Sequence, residues 1–266
     1  MISQFATPAG TSLLSEVRNL FEKRRVFRRN DVPFVFVCGG PISENTIRKQ
    51  FLDWSKKELP GIVIVLAEQA FRDTFFHDPP ETYNLSVFES LIADISDCVI
   101  LFPESPGAYA EMGLFSSARE IRKKTLVVND LQYQAEDSFV NLGPITTINS
   151  KSFLRPTLHV QPKNPNGIDF SPIRDRLGRL MNRKHRKSLA HRSYSELNRQ
   201  DRFVIIMEII NLLHVTSLNG LIHCIRVAFD TVKQKEIKQL LSILVASTCV
   251  ESVMLPSKLD SQGLIF

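Results

Sequence analysis

Cys98-Val-Ile-Leu-Phe-Pro-Glu-Ser-Pro-Gly-Ala-Tyr-Ala-Glu-Met-Gly113 is the stretch on which the fold turns. Its first five residues are apolar without alternation, as in a strand covered on both faces. Ser105-Pro106-Gly107 then makes a turn, and Ala108 to Ile121 reads as a helix. The same strand, turn and helix grammar extends outward on both sides. Pro33 to Cys38 is an apolar strand running into Gly39-Gly40-Pro41, and Ile42 to Leu59 follows as a helix with Ser43 or Asn45 available as its cap. Gly61 to Ala67 is another buried strand. Leu85, Phe88, Ile92 and Ile95 mark a helix over 84–96, and Thr125 to Val128 gives a fourth strand. Buried strands alternating with helices predict an α/β fold: an open parallel sheet covered by helices, with ligands bound at the C-terminal ends of its strands.

The character of the chain changes after Ser150. Pro156, Pro162, Pro165, Gly167 and Pro172 interrupt regular structure, so 155–172 reads as a linker or surface strap. Three dense apolar segments, 202–214, 220–232 and 236–254, then predict a small helical domain, and the tail from Pro256 to Phe266 a stunted hairpin. Three helices with a wing suggest a winged-helix-like module. The expected organisation is an N-terminal arm over 1–32, a catalytic domain over 33–150, a linker and basic segment over 151–200, and the helical domain over 201–266.

Composition narrows the class. With 43% hydrophobic and 23% charged residues the chain is ordinary for a globular protein. It holds no long uninterrupted apolar run and no visible secretory signal. Its four cysteines lack metal-ligand or disulfide-framework spacing, so a cytoplasmic protein without a zinc site is expected. The net charge of +5 is unevenly placed: Arg174 to Arg192 carries eight Lys/Arg against Asp175 alone, and Lys23, Arg24, Arg25, Arg28 and Arg29 form a second cluster. Such stretches read either as places where phosphates dock or as solvated basic surface.

Glu111 is the leading candidate for chemistry. It is expected in the first turns of a helix opening at a strand end, where the helix dipole stabilises a carboxylate by about 0.3–1 kcal/mol. Gly113 leaves space beside it. An ionised carboxylate facing a cleft suits oxocarbenium-like chemistry, as nucleophile or as electrostatic stabiliser. A glutamate that merely complements the dipole is the alternative. Glu68, after the second strand, points toward the same cleft or to solvent. Tyr109 either stacks on a substrate ring or covers its helix. The six histidines form no pattern with a nucleophile, and Trp54 reads as core.

Val35-Phe-Val-Cys-Gly-Gly40, Val99 to Gly107 with Glu111-Met-Gly113, and Ser138-Phe-Val-Asn-Leu-Gly-Pro144 together resemble the nucleoside 2-deoxyribosyltransferase family. They resemble still more closely the deoxyribosyltransferase-like effectors encoded beside bacterial retrons. The resemblance implies that Glu111 is the catalytic glutamate and that Glu89 contacts sugar or base. It implies that Asn141 reaches into a neighbouring subunit's site. Phe36 stands where the transferases often carry a tyrosine that orients the nucleophile, and its missing hydroxyl disfavours efficient base exchange. Gly39, Gly40, Glu104, Ser105 and Gly107 complete the substrate-binding positions.

At the level of function, the resemblance implies a toxin of a retron anti-phage system, restrained by a reverse transcriptase and a branched RNA–DNA hybrid. The substrate would be a small nucleotide, NAD foremost, cleaved to release nicotinamide. No cofactor is implied, and the active species is a homo-oligomer or part of a larger assembly. Arg183, Lys184, Arg186 and Lys187 would hold the nucleic acid. Base exchange or hydrolysis on nucleosides or deoxynucleotides is the enzymatic alternative. A non-catalytic nucleic-acid-binding module is the alternative from another class.

Overall fold

The computed structural model describes residues 8–22, 27–28, 32–72, 84–165, 167–181, 187–188, 194–229, 232–254 and 264–265. In chain order its elements are α1 (Pro8–Glu22), β1 (Phe27–Arg28), β2 (Phe34–Gly39), α2 (Ile47–Glu58), β3 (Val63–Val65), α3 (Ala67–Arg72), α4 (Leu85–Ile95), β4 (Cys98–Phe102), α5 (Pro106–Ser117), α6 (Arg119–Arg122) and β5 (Thr125–Asp130). A π-helical turn (Asn141–Ile145), α7 (Thr146–Lys151), β6 (Leu158–Val160), α8 (Ser171–Met181), β7 (Lys187–Ser188), α9 (Arg199–Leu213), α10 (Leu218–Phe229), α11 (Gln234–Ala246), β8 (Val253–Met254) and β9 (Leu264–Ile265) follow. The chain divides into two units, one of Asn30–Ala67 and Tyr83–Lys184, the other of Met1–Arg29, Glu68–Thr82 and His185–Phe266.

The first unit is an α/β fold around a five-stranded parallel sheet of order β3-β2-β4-β5-β6. Its central strands, β2 and β4, are apolar from end to end because both faces are covered. Val35 and Val37 of β2 and Cys98, Ile100 and Phe102 of β4 face one layer, which includes Ile47 and Phe51 of α2 and Ile173 and Leu177 of α8. Phe36 faces the other, where its ring meets Phe115 of α5 edge-on at 6.2 Å. The order reverses at β2: the chain steps to β3 on one side of it, then crosses back to β4 on the other. A reversal of this kind leaves a crevice at the C-terminal ends of the two adjacent strands.

Helix boundaries follow local chemistry. Thr46, and not Ser43 or Asn45, caps α2, its hydroxyl accepting from Lys49 N at 3.2 Å. Asn84 caps α4 through Ser86 N and Val87 N. Ser105 caps α5, with Pro106 in the first helical position where its missing N–H is no loss. The helix expected over 108–121 is two pieces, α5 and α6, separated by extended Ala118.

Beyond Ser150 the expected linker is replaced by sheet and core. Leu158–Val160 adds β6, pairing in parallel with Val128–Asp130, and α8 buries Ile173 and Leu177 with Phe170 just before it. Pro156 and Pro162 flank the three-residue strand without interrupting it, and so short a strand shows no alternation to read. The expected end of this unit at 150 is therefore too early.

In the second unit α9, α10 and α11 pack on one another, and α1 packs on α10 with Val17 fully buried. The N-terminal arm expected over 1–32 thus contains a packed helix. Leu13, Leu14, Val17, Leu20 and Phe21 already recur at helical spacing. Two short antiparallel pairings complete this unit: β1 with β7, and β8 with β9.

Phe51, fully buried, touches Trp54, Phe102 and Phe170 with ring centroids 5.4–5.9 Å apart and ties α2, β4 and the start of α8 together. Phe51→Ala should lower unfolding free energy by about 3–5 kcal/mol. Urea denaturation checks this, followed by the fluorescence of Trp54, the chain's single tryptophan. A loss below about 1 kcal/mol would show that the ring cluster is not a packing centre.

Candidate active site

The crevice between β2 and β4 is shaped by two loops that touch. Gly39 has φ +148°, and a Cβ built there would lie 2.5 Å from the Phe102 carbonyl oxygen. At Gly40 a Cβ would come within 3.1 Å of Ser105 Cβ. Both positions are glycine because the β2–α2 loop lies directly on the β4–α5 loop; at Gly39 the backbone conformation adds its own demand. Gly107, by contrast, has only the Ser105 hydroxyl near, at 3.8 Å, and is exposed.

Glu104 binds the two loops chemically. One carboxylate oxygen accepts from Ile47 N at 2.6 Å and the other from Arg48 N at 3.0 Å. It is a capping carboxylate for α2, placed where the helix presents unsatisfied N–H groups and partial positive charge. Both oxygens of Glu104 thus serve the backbone, a structural role that its sequence position did not announce.

Arg48 completes the brace and was missed in the sequence. Only 3% exposed, it donates through Nη1 to the carbonyls of Gly39 at 3.3 Å and Gly40 at 2.9 Å, and through Nη2 to Val37 at 3.0 Å. The one available signal is an arginine two residues after a helix cap, on the face that also carries Phe51 and Leu52.

Glu111 lies on α5, the helix that rises from this crevice. It is the sixth residue of the helix, in its second turn. The dipole argument expected from sequence therefore weakens, because that effect falls off within the first turn. The carboxylate is half-buried, with Oε2 shielded from solvent. Ala108, Met112 and Phe115 anchor the helix against the sheet. A Cβ at Gly113 would meet nothing within 4 Å, but two residues along the helix Gly113 faces away from Glu111, so the space expected beside the carboxylate lies on the other flank. Ser105, the α5 cap, accepts at its hydroxyl oxygen from Ala108 N at 3.2 Å.

Phe36 is fully buried and has no surface to offer a substrate; it seats α5 through Phe115. Glu89 is half-buried in the second turn of α4. Asn141 donates both amide hydrogens within its own chain, to Tyr133 O at 2.7 Å and Glu136 O at 2.8 Å. That leaves its carbonyl oxygen, an acceptor, to address a ligand or neighbouring subunit. Tyr109 belongs with this loop: partial burial, with Tyr133, Glu136 and Glu104 nearby, holds its hydroxyl above the usual tyrosine range. Two residues along a helix differ by about 200° in direction, so Tyr109 and Glu111 face opposite flanks of α5.

Arg183, Lys184 and Arg186 lie outside the described residues, and Lys187 is described only as backbone paired with Arg28. Among the described residues no group of three or more His, Cys, Asp or Glu is placed to hold a metal ion. Nor is any described helix long and apolar enough to cross a membrane.

Comparison with known proteins places this geometry in a family. The model of the STM3845 retron effector protein family matches residues 44–252, well over half of the chain, and the chain belongs to that family. Over 124 residues it is 32% identical to the Escherichia coli protein named "Retron Ec86 putative ribosyltransferase/DNA-binding protein", covering 46% of this chain and 40% of that one. Over 231 residues it is 28% identical to the Escherichia coli "Retron Ec73 putative ribosyltransferase/DNA-binding protein", covering 80% and 72%. The match thus spans less than half the length of the first of these relatives.

Removing the Arg48 guanidinium leaves three backbone carbonyls without that donor. Arg48→Leu should therefore destabilise the first unit by about 2–4 kcal/mol, read as a lower urea midpoint. An unchanged midpoint would mean that water replaces the guanidinium at no cost.

Proposed function

We propose that this retron effector cleaves the N-glycosidic bond of a nucleotide-sized substrate, NAD foremost, on a deoxyribosyltransferase-like scaffold, with Glu111 as the catalytic carboxylate. The observation that carries the proposal is the position of Glu111: half-buried, one oxygen shielded, on the helix rising from the crevice where strand order reverses. The ribosyltransferase in the names of both relatives supports the same reading.

The chemistry asks little of the protein. The nicotinamide ring of NAD is a cation, so it leaves as a neutral base when the bond from its nitrogen to the ribose C1′ breaks. Positive charge then develops on the ribose, and the Glu111 carboxylate stabilises it or captures C1′. Water completes turnover, giving nicotinamide, ADP-ribose and one proton. A strongly acidic partner for the leaving group is unnecessary, so one well-placed carboxylate suffices. The exposed amino end of α5 at Gly107, beside the close-packed Gly39 and Gly40, is where the phosphates would be held. In the cell this activity is toxic, cytoplasmic and part of phage defence. It is held in check by the reverse transcriptase and the branched RNA–DNA hybrid of the retron, within a homo-oligomer or larger assembly.

A second reading, nucleic-acid binding, draws on a different observation and is compatible with the first. The segment 174–192 carries eight basic residues against one acid, and both relatives are named DNA-binding proteins. Base exchange on nucleosides or deoxynucleotides remains the enzymatic alternative, and product masses separate it from NAD cleavage.

The deciding experiment incubates the purified chain, free of other retron components, with NAD and with a nucleoside panel, and identifies products by mass. Nicotinamide and ADP-ribose should appear with the wild type. Glu111→Gln, which keeps shape and removes charge, should reduce turnover by at least about a thousandfold while stability stays within about 1 kcal/mol. Wild-type turnover in that variant would remove Glu111 from the chemistry.

A further inference from the structure

We propose that Tyr109 and Tyr133 form a stacking subsite for the adenine ring of the dinucleotide, with Glu136 receiving the adenine amino group. The proposal rests on the reading of the chain as an NAD-cleaving enzyme. It assigns a place to the half of the substrate that the chemistry at Glu111 does not use, and settles the choice left open for Tyr109 in favour of a substrate ring.

Both tyrosines stand at the carboxyl edge of the parallel sheet. Tyr109 is in the first turn of α5, the helix that follows β4, where its N–H donates to Ser105 O at 3.1 Å. Tyr133 is in the loop that follows β5, the strand next to β4. That loop is held at both ends. Asp130 caps the turn Leu131–Tyr133 by accepting from Gln132 N at 2.9 Å, and the Asn141 amide donates to Tyr133 O and Glu136 O at 2.7 and 2.8 Å. Tyr133 and Glu136 lie near the Tyr109 hydroxyl, which partial burial and then their charge keep protonated.

Neither ring fills a core. The residues that seat α5 on the sheet are Ala108, Met112 and Phe115, all fully buried, whereas Tyr109 is 38% and Tyr133 39% exposed. Gly113 lies one turn beyond Tyr109 on the same face, and a Cβ there would meet nothing within 4 Å, so the space beside the ring is open. Neighbouring aromatic rings beside open space take a planar base by stacking, since every base has a π-face. The carboxylate selects among bases: adenine presents an amino donor where guanine and hypoxanthine present a carbonyl oxygen. Tyr109 and Glu111 flank the sheet-facing stripe of α5 on opposite sides, across a helix about 10–12 Å wide. A dinucleotide laid over the amino end of α5 has its pyrophosphate at Gly107, its nicotinamide ribose on the Glu111 flank and its adenosine on the Tyr109 flank. A mononucleotide reaches one flank alone.

The test compares NAD with nicotinamide mononucleotide, which has the same scissile bond and no adenine, on the purified full chain. The wild type should prefer NAD in kcat/KM. Tyr109→Ala and Tyr133→Ala should each reduce that preference by about tenfold, mainly through KM for NAD. Tyr109→Phe and Tyr133→Phe, which keep the ring, should retain it. Glu136→Gln should narrow the preference for NAD over its hypoxanthine analogue. Calorimetric titration with ADP reads the subsite without catalysis: the wild type should bind it, and each alanine variant about tenfold more weakly. Thermal melts confirm that each variant is folded, and leucine, which fills space without a π-face, replaces alanine in any that is not. Folded variants that keep both the NAD preference and the ADP affinity would overturn the subsite and leave cleavage at Glu111 standing. An unchanged base preference in Glu136→Gln would overturn the role of that carboxylate alone. Tyrosine-dependent ADP binding by a chain that cleaves neither substrate would support the subsite and overturn the cleavage. A wild type that neither cleaves nor binds ADP would overturn both.

Discussion

A buried guanidinium holds the candidate site together. Arg48 is taken almost wholly out of water, which costs several kcal/mol unless its donors are satisfied, and the carbonyls of Val37, Gly39 and Gly40 accept from it. Its own backbone N–H, with that of Ile47, is bound by Glu104 from the next loop. A single residue thus fixes the end of β2 by its side chain and the end of β4 by its main chain. The tight contact of Gly39 on Phe102 and of Gly40 on Ser105 follows from that stitching, and so does the direction in which α5 leaves the sheet.

Layer packing then decides what α5 presents. Phe36 and Phe115 lock it from below, and Ala108 and Met112 face the sheet. On the flank with Tyr109, Tyr133 and Glu136 lie near its hydroxyl, in a loop that Asn141 braces. The opposite flank carries Glu111. The proposed stabilisation of a cationic sugar asks for a carboxylate held on a fixed helix, and that is why the proposal rests on Glu111. In the second unit the inward faces of α9, α10 and α11 are largely aliphatic, and Arg202 pairs with Glu236 between α9 and α11.

The parallel sheet, its first four strands and most helix positions were legible because buried strands and amphipathic helices leave distinct periods in sequence. Glu111 was legible through its place after a strand and turn, and through resemblance. Gly39 and Gly40 were legible as a turn. The role of Glu104 was not, because a carboxylate that caps a helix 56 residues away carries no local mark. Arg48 looks in sequence like any exposed helical arginine. The strap after Ser150 was misread because prolines at the ends of a three-residue strand look the same as prolines within a loop.

By itself, then, the sequence determined local structure and the identity of a candidate nucleophile, since periodicity and turn chemistry act over a few residues. The tertiary structure alone decided which polar groups meet. It committed Glu104 to a helix end, buried Arg48 beneath the crevice, turned the Asn141 amide to its own loop, and paired Glu236 with Arg202. The physical reason is that hydrogen bonds and charge pairs between distant residues depend on where packing places them, and packing is a property of the whole fold.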